Sequence, residues 1–469
     1  DDGAGDRGVV VGHDARLRSR AFAEDCAQVI AGHGIPVRLS EGPVPTPVAV
    51  FAIREVGAAA GLVVTASHNP PADNGLKLYG ADGAQIVPPV DAEVAGAIDA
   101  VAADHRLIPP VASAARIEPL GAAVEEAYAA AALSRVPPPA APVSLATTAM
   151  HGVGGALLGK LLAAAGHADV HPVAAQEAPD PAFPTLAFPN PEEPGATDML
   201  AGRMRETGAA IGIALDPDAD RIGVLAAGPG GEPRHLTGDD VGALLGDWLL
   251  AEVTSGPGRL VVSSVVSSSL LARVAEAHGV AHAETLTGFK WLSRPAMERP
   301  DLVQVLAYEE ALGYAIGADV RDKDGLTAAL AVASLAAAQA ARGRTILQAL
   351  DDLHARHGAH VTDNFSLRDE APGGDVRRAA LVGRLAASPP ARIGPERVIE
   401  ARALTDDVLR LDLAGGARVV VRPSGTEPKL KCYCEAVEAV RGGDVEGARA
   451  RARKRLAAIR AGLAEVLLA

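Results

Sequence analysis

Three aspartates at alternate positions, Asp216, Asp218 and Asp220, follow directly on the apolar run AAIGIAL in the stretch ALDPDADRIGV. Hard oxygen donors this close together, on a turn containing Pro217, suit Mg2+, which keeps room for water or a phosphate oxygen. An EF-hand is a poor fit, because the loop lacks the glycine at its sixth position and the glutamate at its twelfth. The plain alternative is an acidic surface turn; Arg221 beside the cluster and the strand that aims it weigh against that. A second apolar run, in GLVVTASHNPPADNGLKLYG, stops at Thr65, and Ser67, His68 and Asn69 then stand as an exposed turn before Pro70 and Pro71. His68 is adjacent to Ser67, so a hydrolase triad would need a distant aspartate and another geometry, and the G-x-S-x-G elbow is absent.

Two further loops carry chemistry. In VVVRPSGTEPKLK, Arg422, Ser424, Gly425 and Thr426 can offer a guanidinium fork, hydroxyls and backbone N–H groups to one anion, although PSGTEP is also a good plain turn. In AYEEALGY, Glu309 and Glu310 end a strand-like run and can accept hydrogen bonds from sugar hydroxyls, or can be a solvated helix start. RDKDGLTAAL downstream reads as a loop with a capping aspartate, Asp324. A serine near three aspartates and an anion-binding loop suggests that Ser67 itself carries a phosphoryl group, with Lys77 in GLKLY a candidate acid or base.

The elements that must position these loops repeat. RGVVVGHD, PVSLATT and RLVVSSVVSS are apolar strands that each feed an amphipathic helix, starting near Ser19, Gly154 and Ser268. A glycine stops each helix, and a β-branched run returns. Three such units predict three related mixed α/β domains with mainly parallel sheets. The rhythm then breaks: DVLRLDL, ARVVVRPS and KLKCYCEAV are closely spaced strands flanked by helices near 375–387 and 443–467, the pattern of an antiparallel sheet with helices on one face. SRVPPPAAPV and the stretch around SGPG read as linkers.

Composition bounds the partners. An apolar share of 48% with 22% charged residues in 469 residues fits a globular chain of about three or four domains. No run approaches the ~18 apolar residues of a membrane span, and no signal pattern opens the chain, so a cytoplasmic protein without membrane contact is expected. A net charge of −14 argues against a nucleic-acid surface; the basic RARARKRLAAIRAGLAEVLL reads as one solvated helix face beside an apolar stripe. Cys26, Cys432 and Cys434 form no disulfide framework, and the Cys432–Cys434 alternation reads as packing.

TASHNP with NGLK, DPDADR, YEEALGY and RPSGTEPK, in this order, resemble the α-D-phosphohexomutase family, the phosphoglucomutases and phosphomannomutases, along essentially the whole chain. The resemblance implies three related α/β domains and a C-terminal α+β domain around one central cleft, each giving one loop. They fall at 1–140 (phosphoserine loop), 141–254 (metal loop), 255–362 (sugar loop) and 363–469 (phosphate loop). It makes Ser67 the phosphorylated residue, Asp216, Asp218 and Asp220 the ligands of one Mg2+, and Lys77 and His68 proton-transfer candidates beside Arg221. Glu309 and Glu310 would meet sugar hydroxyls, and Arg422, Ser424, Gly425 and Thr426 the non-transferring phosphate. LTGFKW resembles another cleft segment, which makes Lys290 a substrate contact, while Asp14 and Arg16 of VVGHDAR are structural. The expected activity interconverts a sugar 1-phosphate and 6-phosphate, of glucose or mannose, with a sugar 1,6-bisphosphate as activator and a monomer or homodimer as the assembly. Pentose phosphates, a Mg2+-dependent phosphatase and an inactive sugar-phosphate sensor are the alternatives. Two departures stand out: family members carry a further cleft-lining segment upstream of VVVGHDAR, and Ala311 stands where many hexose mutases have serine.

Overall fold

The computed structural model describes residues 3–108, 116–371, 373–424 and 428–468. The chain divides into two compact units, one of Asp1–Ser264 with His278–Leu347 and one of Val265–Ala277 with Gln348–Ala469.

The first unit holds three mixed sheets. The first is ordered β4-β3-β1-β2-β5, from β1 (Val9–His13), β2 (Val37–Leu39), β3 (Ala60–Val64), β4 (Leu76–Gly80) and β5 (Ile117–Pro119); only β4 runs antiparallel. Its apolar strands need cover on both faces. The helix Ser19–Gly32 supplies one, burying Ala23, Ala27 and Ala31 at four-residue spacing against Val11, Val37 and Val64. The helix Thr46–Glu55 comes so close on the other that a Cβ at Gly61 would lie 2.1 Å from the Ile53 side chain.

The second sheet is ordered β10-β9-β8-β6-β7, from β6 (Leu145–Thr148), β7 (Val170–Pro172), β8 (Ile211–Leu215), β9 (Ile222–Ala227) and β10 (Pro233–Leu236). The third is ordered β12-β11-β13-β14, from β11 (Arg259–Ser264), β12 (Ala281–Thr285), β13 (Val303–Glu309) and β14 (Gly313–Ile316). In each, central parallel strands meet an antiparallel hairpin, β8–β9 or β13–β14, whose turn carries one of the loops singled out above. The alanine-rich helix Gly325–Ala341, buried along nearly all its length, packs on strands of the second and third sheets and on the helices Ala122–Ser134 and Gly155–Ala165. An all-round apolar helix is stable in water only when enclosed in this way. No single helix among the described residues is long and apolar enough to cross a membrane.

The second unit is one antiparallel sheet, β15-β20-β19-β18-β17-β16, from β15 (Ala359–Arg368), β16 (Arg392–Ile393), β17 (Glu396–Ala403), β18 (Leu409–Leu413), β19 (Arg418–Pro423) and β20 (Lys429–Glu438). Val419, Val421, Cys432 and Cys434 point to the face covered by the helices Gly374–Ala387 and Val445–Leu468. Burial pushes both thiols up to about 12, so they pack as apolar groups. The second face also carries cover: Val420 and Tyr433 alternate outward from Val419 and Cys432 and meet Val265 and Val266 of the inserted segment.

Candidate active site

The serine loop joins β3 to β4, and its geometry departs from an exposed turn. Ser67 is only 8% exposed and sits at φ +49°, a left-handed conformation that a serine holds only when its surroundings impose it. They do. The buried guanidinium of Arg16, itself braced by Asp14, donates to the carbonyls of Ser67 (2.6 Å), Asn69 and Pro70, and the Ser67 N–H donates to Thr65 Oγ1 at 2.8 Å. The expectation of an exposed serine is therefore corrected: the hydroxyl is turned inward, because it has a partner there. Ser67 Oγ donates to Asp216 Oδ2 at 2.8 Å and lies 3.2 Å from His68 Nδ1. Burial, and then Arg221, push the imidazole of His68 down to about 3, so it is neutral near pH 7.

Asp216, Asp218 and Asp220 lie on the β8–β9 turn, all fully buried, and one carboxylate oxygen from each falls within 4.8 Å of the others. Three charges this close need compensation, and cations supply it. Lys77 Nζ donates to Asp218 Oδ2 (2.7 Å) and Asp220 Oδ2 (2.6 Å), and Lys323 Nζ lies 3.2 Å from Asp220 Oδ2. Arg221 Nε is 3.7 Å from Asp220 Oδ1. Burial pushes Asp216 well above the usual carboxylate range, with Asp218 and Asp220 adding to it. For Asp220 burial acts the same way, but Lys323, Lys77 and Arg221 outweigh it and hold the group low. Lys77 is a similar contest: burial lowers its amine, and Asp218 and Asp220 hold it well above the ordinary lysine range. Lys77 Nζ is thus a hydrogen-bond donor to both carboxylates in this arrangement.

The donor set fits a hard divalent cation. Oδ1 of Asp218 and of Asp220 are buried with no hydrogen-bond partner among the described residues, and all three side chains offer oxygen alone.

The sugar-loop turn, between β13 and β14, docks on this cluster. Arg221 Nη1 donates to the Ala311 carbonyl at 3.1 Å, the Ile222 N–H to the Leu312 carbonyl at 3.2 Å, and Arg221 bridges Gly313 as in a sheet. Glu309 is buried. Glu310 accepts from Ser264 Oγ at 3.1 Å, and burial, then Glu309, raise its carboxyl to about 8. A Cβ on Gly238 would fall 2.0 Å from the Glu310 carbonyl oxygen, so that backbone approach requires glycine. Lys290 is not drawn into the cluster; it lies on the helix Phe289–Leu292 with Nζ 5.7 Å from the Trp291 ring. In the second unit Arg422 ends β19 with a buried Nε that has no hydrogen-bond partner among the described residues, and the Ser424 N–H donates to the Lys429 carbonyl. Gly425 and Thr426 lie outside the described residues.

Four stretches match family descriptions in domain order. Residues 2–105, 126–229 and 237–356 match alpha/beta/alpha domains I, II and III of phosphoglucomutase/phosphomannomutase, and residues 380–452 match its C-terminal domain. The chain belongs to this family. A "probable phosphomannomutase" of Haemophilus influenzae is 39% identical over 441 residues, covering 91% of this chain and 88% of its own length. A "probable phosphoribomutase" of Schizosaccharomyces pombe is 32% identical, covering 91% of this chain and 78% of its own. The crystal structure of a phosphoglucomutase/phosphomannomutase family protein from Burkholderia thailandensis shares the fold, with a TM-score of 0.74 at 22% identity, over 99% of this chain and 91% of that one.

This phosphoglucomutase/phosphomannomutase family member is thus an enzyme of the isomerase and phosphotransferase kind. Reading the sequence missed part of its site. Lys323 stands in the sequence only as the lysine of RDKDG, beside the capping Asp324, whose side chain accepts from the Thr327 N–H. The loop does more than cap. Asp322 accepts from Tyr79 and Gln85 of the first domain and from Lys323, and so fixes that lysine over the aspartates.

Proposed function

We propose that the enzyme interconverts hexose 1-phosphates and 6-phosphates, of glucose or mannose, through a phosphorylated Ser67 and a sugar 1,6-bisphosphate. The observation that carries the reading is the 2.8 Å hydrogen bond from Ser67 Oγ to Asp216 Oδ2: the nucleophile of one domain opens onto the carboxylates of the next. A phosphoryl group on that oxygen lies beside Asp216, Asp218 and Asp220, which would hold one Mg2+, and beside two lysines and Arg221. Bound there, Mg2+ supplies charge neutralisation for a phosphoryl group in transfer.

The chain's own groups do the rest. A sugar hydroxyl attacks the phosphorus, the bond to Ser67 Oγ breaks, and the hydroxyl proton passes to an acceptor while the serine oxygen regains one. His68 Nδ1, 3.2 Å from Oγ, is placed to handle the serine's proton. Lys77 and Lys323 donate to charge that develops on the phosphoryl oxygens. Glu309 and Glu310 are assigned to sugar hydroxyls, Arg422 with Ser424 to the distal phosphate, and Lys290 to the substrate. The bisphosphate then presents its other phosphate to Ser67 and returns it. A pentose phosphate as substrate is the second reading, supported by the likeness to the fission-yeast protein named for ribose phosphate.

The test is a partition. Protein phosphorylated by glucose 1,6-bisphosphate is mixed with glucose 1-phosphate, and glucose 6-phosphate and inorganic phosphate are followed together. Isomer should outrun phosphate by several powers of ten, because an anchored hydroxyl has an advantage that bulk water lacks. Phosphate released as fast as isomer would mean a phosphatase, and binding with neither product a sensor. The same assay on mannose, ribose and deoxyribose 1-phosphates decides between hexose and pentose.

A further inference from the structure

One contact on the metal loop comes from a residue to which no chemistry has been assigned so far. Thr46 is the first residue of the helix Thr46–Glu55, is fully buried, and follows Pro45 at φ −56°, ψ 136°. Its hydroxyl donates to Asp218 Oδ2 at 2.6 Å, and its backbone N–H donates to the Asp218 carbonyl at 2.9 Å. Side chain and main chain of one residue in the first domain thus grip side chain and main chain of one aspartate in the second. Pro45 and Pro47 stiffen the grip, since each fixes its own φ near −65°.

The consequence is an assignment of oxygens. Asp218 Oδ2 is saturated by Thr46 and Lys77, whereas Oδ1 is buried without a hydrogen-bond partner among the described residues. A carboxylate held by one oxygen can still rotate about Cβ–Cγ; held by Oδ2 and by its own backbone carbonyl, it presents Oδ1 in one direction. We propose that Thr46 is a positioning residue, which fixes the carboxylate of Asp218 so that its free oxygen is directed at the divalent cation. This rests on the reading of Asp216, Asp218 and Asp220 as metal ligands. It adds that the metal loop of the second domain reaches its working geometry only when the first domain supplies this hydroxyl.

The test uses the full chain with MgCl2 as the probe. Mg2+ affinity is measured by calorimetry for wild type, Thr46→Val and Thr46→Ser, with the thermal midpoint of each in metal-free buffer and the Mg2+ dependence of turnover. Valine keeps the shape and loses the hydroxyl. It should weaken Mg2+ binding by about tenfold or more, the scale of one charge-assisted hydrogen bond, with turnover partly regained at higher Mg2+. Serine should bind within about threefold of wild type. If the valine variant does not fold, Thr46→Ala carries the same comparison. Unchanged Mg2+ affinity in the variant without the hydroxyl overturns the inference, as does a serine variant as weak as valine, since the threonine methyl would then be what matters. A wild type that binds no Mg2+ overturns the metal assignment and this inference with it, a result distinct from either of the others.

Discussion

Ser67 shows how much a single side chain can be asked to do. Its hydroxyl is the proposed carrier of the phosphoryl group, and in the dephosphorylated protein the same hydroxyl satisfies a buried carboxylate oxygen of Asp216. Ser67→Ala should therefore abolish turnover and also destabilise the metal-free protein, by about 1–3 kcal/mol, the cost of leaving a buried acceptor without its donor. Urea unfolding of the two proteins in metal-free buffer checks this; equal stabilities would mean that Asp216 finds another partner at no cost. At this scale the sequence was legible wherever the chemistry lay in consecutive residues. TASHNP and DPDADR declare themselves because side-chain types, turn residues and spacing coincide in a few positions. Thr46 and Lys323 did not, because their meaning lies in partners far along the chain: 172 residues separate Thr46 from Asp218. The Ser67 loop was legible as a motif and misread in exposure, since nothing local tells a turn that its outward face will be covered by another domain.

At the scale of elements, the C-terminal sheet is pinned by a carboxylate. Glu435 of β20 accepts from Arg418 Nε at 2.6 Å, His360 Nδ1 at 2.9 Å, and from Ser268 and Ser269 of the inserted segment. Burial alone would raise its carboxyl, but Arg418 and His360 hold it well below the usual range. The folded group thus titrates lower than the unfolded one, near 4.3, so its stabilisation is full above that pH and is lost as pH falls through the folded value. Hydrogen exchange in β19 and β20 should accelerate as pH drops below about 4, after correction for intrinsic rates, and Glu435→Gln should flatten that dependence. An identical acid response in the variant would mean that other carboxylates set it. The three strand–helix–glycine repeats were readable because apolar period, helix stop and returning strand agree. The edge strand β15, AHVTDNFSLR, was not, because its outer half alternates exposed and partly buried residues and carries little apolar signal.

At the scale of the molecule, the first unit is built so that three domains converge on one acidic turn: Ser67, Lys77 and Thr46 from the first, the aspartates from the second, Lys323 and the Ala311 carbonyl from the third. Because Lys77 and Lys323 already answer the charge of Asp218 and Asp220, folding does not wait for a cation, unlike small zinc domains that are unfolded without metal. Exhaustive chelation with EDTA should stop turnover and leave the far-ultraviolet circular dichroism at room temperature unchanged; loss of secondary structure would place the metal among the determinants of the fold. The lysines have a further effect. A divalent ion taken up at the free Oδ1 atoms of Asp218 and Asp220 would join two ammonium groups already held on Oδ2, so its affinity is lowered by their repulsion. The same lysines that steady the acidic turn without the ion should therefore also loosen its hold on the ion once it arrives.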